Sequence, residues 1–342
     1  MKGRHFLITG HTGFKGSWLV ALLRNQGAKV SGISLDPVEG GIFRTAEIQE
    51  LLVHDIRQDI RNGVELTRAF QDVSPDVVIH LAAQPLVLNS YEIPEETYET
   101  NVMGTLNVLK AAQGTSSVKA TVIVTTDKVY RQVPGEEHAF LETDALGAAD
   151  PYSTSKAMAD LLTQSWMASH PESRIAIARA GNVIGGGDVA ANRLLPDLVR
   201  AFSDGQTASV RNPSSVRPWQ HVLDCLAGYV LLAEGLLTGE AKNGAYNFGP
   251  DPQITLQVRE VADMAASTWG ADATWKAIEL SQPHESSFLT LDSTKSKAKL
   301  GWSEKLSPSE AISWSVSWSR EQTSGRQAQL LTMEQIALFQ SR

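Results

Sequence analysis

The sequence predicts an α/β protein built on a doubly wound parallel sheet, with a smaller mixed α/β lobe. Three observations support this fold class: short apolar runs alternate with helical patterns, a glycine-rich loop joins the first run to the first helix, and the alternation stops after Gly181. Continuously apolar runs are typical of parallel strands buried on both faces. Their alternation with helices is typical of βαβ units.

Strand and helix candidates alternate in the first half of the chain, and two more lie beyond it. Strands are predicted at residues 6–9, 28–33, 77–81, 120–124 and 175–178, and helices at 17–25, 97–113 and 223–237. Glycines at 185–187 and two X-Pro pairs predict loops beyond Gly181. We therefore expect a Rossmann-type dinucleotide-binding domain over residues 1–180, with 214–248 packing back on it, and a substrate lobe over 181–213 and 249–342.

The composition is that of an average globular protein. Of 342 residues, 42% are hydrophobic and 20% are charged, whereas a disordered chain would be less apolar. The net charge of −8 argues against a nucleic-acid-binding protein, because phosphate binding requires basic patches. No apolar run reaches the ~20 residues of a membrane-spanning helix. The lone cysteine, Cys225, is interpreted as a core residue and fits a reducing compartment, so we expect a cytoplasmic protein.

A glycine-rich loop, TGHTGFKG at residues 9–16, lies between the first predicted strand and the first predicted helix. Its glycines permit a tight turn and let a pyrophosphate approach the backbone N–H groups at the helix N-terminus. The strand–turn–helix setting therefore favours a cofactor loop over a merely flexible turn. His11 and Lys15 place basic groups in this loop, where they either pair with the pyrophosphate or face solvent.

Asp36 follows the second predicted strand, about 20 residues beyond the last glycine of the loop. A carboxylate at this position accepts hydrogen bonds from the adenosine ribose and repels a 2′-phosphate. We therefore predict NAD rather than NADP as the cofactor. The alternative is that Asp36 is only a surface residue of the turn at 35–37.

Tyr152 and Lys156 form a candidate catalytic pair. Their i, i+4 spacing places both side chains on one face of a helix, about 6 Å apart at Cβ. The ammonium is expected to favour the phenolate and to lower the pKa of Tyr152 towards a value useful for proton transfer. The TTDK segment at residues 125–128, at the end of a buried strand, is expected to complete the site.

Motifs along nearly the whole chain resemble those of the extended short-chain dehydrogenase/reductases, and within them the nucleotide-sugar 4,6-dehydratases. The glycine-rich AGNVIGGGD, the RNP segment at 211–213 and the Thr-Asp-Lys triplet look most like dehydratases that act on CDP-glucose, whereas those acting on dTDP-glucose carry glutamate in place of Lys128. The matching motifs are TGHTGFKG at 9–16, DI at 59–60, HLAAQP at 80–85, TNVMGT at 100–105, TTDKVY at 125–130, DPYSTSK at 150–156, RAGNVIGGGD at 179–188, RPWQHV at 217–222, YNFGP at 246–250, PHE at 283–285 and LTLD at 289–292.

The resemblance implies a redox-neutral reaction in three steps. Tyr152 would remove the proton of the sugar 4-hydroxyl as hydride leaves C4 for NAD. The C5 proton and the 6-hydroxyl would then be lost as water, and hydride would return to C6. In this scheme Thr126 hydrogen-bonds near O4 and Asp127 protonates the departing 6-hydroxyl. Lys128 is either the C5 base or an electrostatic partner, since ammonium is a poor base unless its pKa is lowered.

The resemblance also implies which residues contact the two ligands, and a homodimer as the assembly; no metal is expected. The expected NAD contacts are Gly10, His11, Gly13, Phe14, Lys15, Gly16, Asp36, Asp59, Ile60, Leu81, Ala82, Ala83, Asn101, Thr125, Tyr152 and Lys156. The expected nucleotide-sugar contacts are Gln84, Asn182, Arg193, Arg217, Asn247 and His284, the arginines because their planar fork suits phosphate oxygens.

The chain departs from the family pattern around the substrate. Leu88 stands where arginine is common, Val189 where tryptophan follows GGGD, and Ser286 where alanine follows PHE. Residues 131–147 also lack the tryptophan-rich insert of the family. The identities of the nucleotide and of the sugar are therefore less well defined than the chemistry.

Three alternatives share part of this pattern: another nucleotide-sugar 4,6-dehydratase, a nucleotide-sugar 4-epimerase, and a catalytically silent NAD-binding regulator. An epimerase has no leaving group to protonate and usually carries a small hydroxyl residue in place of Asp127. A silent regulator commonly loses one member of the tyrosine–lysine pair, and this chain keeps both Tyr152 and Lys156. The sequence therefore favours a dehydratase.

Overall fold

The computed structural model describes residues 1–133, 135, 137–278 and 288–342. Within them the main sheet has seven strands, and every neighbouring pair is parallel. The predicted doubly wound α/β fold is thus confirmed. The strand order reverses beside the first strand, which is where such sheets bind ligands. From edge to edge the strands are Gly244–Phe248, Ile175–Ala180, Ala120–Val124, Val77–His80, His5–Thr9, Lys29–Ser34 and Asp55–Arg57.

Helices cover both faces of the sheet because its strands are apolar on both faces. One face packs against Phe14–Asn25 and Val222–Thr238, and Ala328–Gln340 extends this core by packing on Phe14–Asn25. The other packs against Gly63–Val73, Gly104–Gln113 and Pro151–Ser169. Ala328–Gln340 was expected in the substrate lobe, but its apolar side chains join the core around Phe14–Asn25. Shorter helices lie at Ile42–Thr45, Val87–Glu92, Pro94–Tyr98 and Thr294–Leu300, with 3-10 turns at Ile48–Leu51 and Asp127–Val129.

The sheet domain differs from the sequence prediction in several elements, among them helix Gly63–Val73, which was not predicted. The helix expected at 97–113 is divided: a π-helical turn, Glu99–Met103, separates Pro94–Tyr98 from Gly104–Gln113. Strands Asp55–Arg57 and Gly244–Phe248 were not predicted. Both lie at edges of the sheet, where short or partly polar segments suffice.

A smaller lobe has its own apolar core, which includes Leu198, Phe202, Trp219, Val261 and Ile312. This lobe supplies the wall that faces the carboxyl ends of the main strands. Its helices are Leu194–Ser203, Val258–Trp269 and Pro308–Thr323, and its strand pairs are Ala208–Arg211 with Trp275–Ile278 and Val216–Arg217 with Leu256–Gln257. Two further short pairs, Val183–Ile184 with Gln220–His221 and Ala139–Phe140 with Thr290–Leu291, connect it to the sheet domain.

The described part of the chain contains no helix that is both long and apolar enough to cross a membrane.

Candidate active site

A cavity of about 920 Å³ lies between the carboxyl ends of the sheet strands and the smaller lobe. Thr126, Asp127, Lys128 and Tyr152, predicted to be catalytic, all line it. Cationic side chains are frequent in its wall, which suits a diphosphate. They are Lys15, Lys128, Arg131, Arg193, Arg211 and Arg217.

Tyr152 lies in the first turn of the helix Pro151–Ser169, called here the tyrosine helix. The helix begins with proline at its first position and Asp150 as its N-cap, whose carboxylate accepts a hydrogen bond of 2.9 Å from the Ser153 N–H. The backbone N–H of Tyr152 donates to Ser90 Oγ at 3.0 Å. These bonds fix the start of the helix and hence the position of the phenol.

The pKa values of the Tyr152–Lys156 pair do not follow the sequence prediction. Burial raises the pKa of Tyr152 to about 12, against a smaller opposing effect of Arg193. Burial, with Lys15 nearby, lowers the pKa of Lys156 to about 8. The prediction that Lys156 lowers the pKa of Tyr152 is therefore wrong for the protein alone, because loss of solvation outweighs the charges around the phenol. Lys156 instead donates a 2.8 Å hydrogen bond to the Val124 carbonyl.

Asp127 is held at the start of the 3-10 turn that follows strand Ala120–Val124. Thr126 caps this turn, and its hydroxyl donates to Asp127 Oδ1 at 2.8 Å. The carboxyl group is buried, and Oδ2 has no hydrogen-bond partner among the described residues. Burial raises the pKa of Asp127, and Lys128, Thr126 and Arg217 only partly offset this effect. The sequence alone left the sign of this shift open, and in the structure the shift is upward, towards the protonated form.

The glycine-rich loop has the shape of a pyrophosphate cradle. Gly10 has φ +78°, and a Cβ there would lie 2.7 Å from the Ala82 nitrogen. A Cβ on Gly16 would collide with the Gly10 carbonyl oxygen. Gly13 is the N-cap of Phe14–Asn25, and no side chain caps that helix. Its first N–H groups can therefore bind an anion, and the loop fits a dinucleotide cofactor.

The two basic residues of the loop occupy different surroundings. His11 is fully buried, and its Nε2 lies 2.8 Å from Asp55 Oδ1. A side chain at Gly32 would collide with the His11 ring, so this glycine makes room for it. Lys15 lines the cavity, with Nζ 6.0 Å from the centre of the Tyr229 ring. His11 is therefore not solvent-facing, whereas Lys15 is partly exposed at the cavity.

The residues predicted for the adenosine end lie at the ends of neighbouring strands. Asp36 is exposed, and its Oδ1 lies 3.7 Å from Arg57 Nε. Asp59 accepts hydrogen bonds from the backbone and side chain of Arg61, both at 2.8 Å. Ile60 is buried in the second apolar core of the sheet domain. Their contacts with NAD stay predictions.

The loop after strand Val77–His80 lies at the switch point of the sheet. It carries Leu81, Ala82 and Ala83, all partly exposed. Gln84 was predicted to bind substrate, but it does not line the cavity among the described residues: its amide bonds to Leu86 and Thr97. The Asn101 amide bonds to the Gln84 backbone and to Ser155 Oγ, so it joins this loop to the tyrosine helix.

Three of the six predicted substrate residues, Asn182, Arg193 and Arg217, line the cavity. Arg193 also pairs with Asp188 at 2.9 Å. Asn247 has a different place from the one predicted: it is buried, and its amide bonds to Tyr130, Phe140 and Asp292. His284 lies outside the described residues, as does Ser286.

Several cavity residues had no predicted role. Arg211 and Asn212 belong to the RNP segment, which resembles the dehydratase family but had no residue assigned to the site. Asp188 is the last residue of the GGGD motif. Trp219 lies in RPWQHV, where only Arg217 was assigned a role. These residues could have been found by treating each motif as a group. Leu88, which departs from the family pattern, also lines the cavity. No metal-binding group of three or more His, Cys, Asp or Glu occurs among the described residues.

This fold and site, a dinucleotide cradle beside a tyrosine–lysine helix, define the extended short-chain dehydrogenase/reductase class. The model of the NAD dependent epimerase/dehydratase family matches residues 6–249. The chain belongs to that family, and NAD is its cofactor.

Individual relatives refine this assignment. CDP-glucose 4,6-dehydratase of Salmonella typhimurium is 38% identical over 99% of this chain and 97% of its own. dTDP-glucose 4,6-dehydratase of Neisseria meningitidis serogroup B is 31% identical, with 71% and 72% covered. The solved structure of dTDP-glucose 4,6-dehydratase from Streptomyces venezuelae, which contains NAD, has a TM-score of 0.82 at 26% identity, with 94% and 98% covered.

Proposed function

We propose that this chain dehydrates CDP-glucose to CDP-4-keto-6-deoxyglucose. The observation that carries the proposal is Asp127, a buried carboxyl group with a raised pKa and an unpartnered Oδ2 in the same cavity as Tyr152. A protonated carboxyl group is what elimination of a hydroxyl as water requires. An epimerase has no step that uses it.

NAD, when bound, supplies the hydride acceptor and donor at C4 and C6 and a positive charge that favours the Tyr152 phenolate. Tyr152 then takes the proton of the 4-hydroxyl as C4 is oxidised to a ketone. The ketone acidifies C5, and loss of the C5 proton with the 6-hydroxyl gives an enone. Asp127 donates the proton that turns the 6-hydroxyl into water. Reduction at C6 and protonation at C5 complete a reaction without net redox change.

Lys156 and Lys128 have different places relative to the cavity. Lys156 lies outside the cavity lining of the described residues, and its bond to the Val124 carbonyl holds the strand end against the helix that carries Tyr152. Lys128 lines the cavity next to Asp127. It serves either as the C5 base or as the charge that orients Asp127 and substrate.

CDP-glucose is proposed over other nucleotide sugars because a CDP-glucose 4,6-dehydratase is 38% identical over 99% of this chain, and because the AGNVIGGGD, RNP and Thr-Asp-Lys segments resemble dehydratases that act on CDP-glucose. Arg193 and Arg217 would hold the diphosphate, with Asn182 on the sugar. His284 is retained as a proposed substrate contact from the resemblance alone.

The test is incubation of the purified protein with NAD and a panel of CDP-, dTDP-, GDP- and UDP-glucose, with products identified by mass. We expect a product one water lighter, formed fastest from CDP-glucose. A product of unchanged mass that is inverted at C4 would identify an epimerase instead.

We also propose a cytoplasmic homodimer. Apolar side chains are exposed on the tyrosine helix and on the helical segment at 87–103, which suits a helix-paired interface. They are Tyr91, Ile93, Met103, Met158 and Leu161. Analytical ultracentrifugation tests the assembly. The lone buried cysteine suits a reducing compartment.

A further inference from the structure

A buried ion pair lies directly behind the cavity. The Arg179 guanidinium forms a bidentate ion pair with the Asp160 carboxylate: Nε lies 2.8 Å from Oδ2, and Nη2 lies 2.7 Å from Oδ1. Both side chains are at most 1% exposed, and neither lines the cavity in the described part of the chain. Such a pair is expensive to desolvate, and it persists only when its remaining hydrogen-bonding positions are satisfied. Gln164 and Thr125 complete the shell of Asp160, at 2.8 and 3.1 Å.

One arm of this network holds the start of the segment at residues 125–130, called here the acid segment because it carries Asp127. The Thr125 hydroxyl donates to Asp160, which lies one helical turn after Lys156. Lys156 in turn donates to the carbonyl of Val124, the residue before Thr125. Two consecutive residues at the strand end are thus tied to two consecutive turns of the tyrosine helix.

The other arm holds the end of the acid segment. Arg179 Nη1 donates to the Tyr130 hydroxyl at 2.9 Å, and that hydroxyl donates to Asn247 Oδ1 at 2.7 Å. The Tyr130 ring stacks on Phe140 with ring centres 4.9 Å apart, and the Arg179 guanidinium carbon lies 5.0 Å from the Tyr130 ring centre. The ring borders the cavity, whereas the hydroxyl points away from it into the network.

We propose that Arg179 is a positioning residue that clamps both ends of the acid segment and thereby aims the Asp127 carboxyl group into the cavity. Between Thr125 and Tyr130 there is room for only a single 3-10 turn, so fixing both ends leaves the turn little freedom. The role given to Asp127 rests on the proposed function. The inference explains why a strand that is otherwise apolar, Ile175–Ala180, contains a fully buried arginine.

Tyr130→Phe tests the clamp without breaking the ion pair. Substituting Arg179 itself would leave Asp160 as a buried unpaired charge, which is strongly destabilising and would confound a loss of positioning with a loss of folding. Tyr130→Phe keeps the ring and the cavity wall but deletes the hydroxyl that Arg179 grips. We expect kcat for dehydration to fall about tenfold with an unchanged KM, and NADH to accumulate transiently, because water loss slows more than oxidation. Thr125→Val, which releases the start of the acid segment, should likewise lower kcat without changing KM.

Tyr246→Phe is the matched control. Its hydroxyl is also bonded, to the backbone of Lys242, but it lies outside the acid segment and its network. We expect it to lower the melting temperature by a similar amount without NADH accumulation. If Tyr130→Phe and Tyr246→Phe change kcat equally, Tyr130 has only a structural role and the proposal is wrong.

A double-mutant cycle separates action through Asp127 from general loosening. In an Asp127→Asn background, Tyr130→Phe should cause no further loss of kcat; an equal loss in both backgrounds would overturn the proposal. Infrared titration of the Asp127 carboxyl group gives a readout that does not depend on turnover. Its pKa should fall towards the ordinary range in Tyr130→Phe and stay unchanged in Tyr246→Phe. An unchanged pKa in both would refute the clamp, whereas absence of dehydration by the wild-type protein would refute the proposed function alone.

Discussion

Replacing Asp127 by asparagine removes the proposed proton donor while nearly keeping its shape. The amide oxygen can still accept the hydrogen bond from Thr126, which measures 2.8 Å. General acid catalysis is worth ~10²–10⁴-fold, or about 3–5 kcal/mol of activation free energy. Asp127 is 1% exposed, so water cannot easily take over as the acid. We therefore expect the loss in the rate of dehydration to lie in the upper part of this range, ~10³–10⁴-fold.

The assay follows NADH absorbance after CDP-glucose is mixed with the NAD-loaded variant. Oxidation at C4 does not use Asp127, so absorbance should rise at the wild-type rate and then persist, while product one water lighter forms slowly. The wild-type rate of water loss should decline as pH rises through the raised pKa of Asp127, a dependence that Asp127→Asn lacks. Asp263→Asn, which changes an exposed aspartate of the smaller lobe, should behave as wild type. Dehydration by Asp127→Asn at the wild-type rate would show that Asp127 is not the acid.

Three further predictions follow from the same structure. Tyr152→Phe keeps the ring but deletes the proton acceptor, so turnover should fall at least ~10²-fold with NAD binding nearly unchanged; retention of more than about a tenth of the activity would exclude this role. Asp36→Ala should reduce the preference for NAD over NADP, measured as the ratio of dissociation constants, by up to about fivefold, because Arg57 is left to meet a 2′-phosphate; equal affinities in the wild type would remove the basis for this assignment. Burial raises the pKa of Asp224 from 3.8 to about 7, so the folded state binds more protons and wild-type stability falls as pH rises through that window. Denaturant titrations of wild type and Asp224→Asn give the difference between their free energies of unfolding. From pH 4 to pH 7 this difference should change in favour of the variant by at most about 4 kcal/mol. A difference that does not change with pH would contradict the raised pKa of Asp224.

The fold and the location of the site could be predicted because local patterns determine them. The strands at 5–9, 77–80 and 120–124 are short, apolar and separated by helices, and the carboxyl ends of parallel strands necessarily meet at one edge. A glycine loop after the first strand and a tyrosine helix therefore had to face one another. The edge strand Asp55–Arg57 is too short and polar to give such a signal.

Side-chain partners could not be predicted in the same way. The sequence placed Asn247 with the substrate because its motif matched, yet the residue lies behind the site in contact with Tyr130. The expected effect of Lys156 on Tyr152 was a pairwise electrostatic argument, whereas the pKa depends on the burial of both groups. Burial is a property of the folded chain, and spacing along a helix does not contain it.

Arg179 shows which sequence signal was available and was not used. In the run Ile175-Ala-Ile-Ala-Arg-Ala a charged residue interrupts an otherwise apolar strand, and a charge buried between helices requires a partner. The partner, Asp160, stands four residues after Lys156 on the face of the helix that turns towards the sheet. An isolated charge in a buried strand next to a catalytic motif is therefore as informative as the motif itself. The low-dielectric interior makes the charge costly to bury, and it also strengthens the hydrogen bonds of that charge enough to fix a neighbouring acid in place.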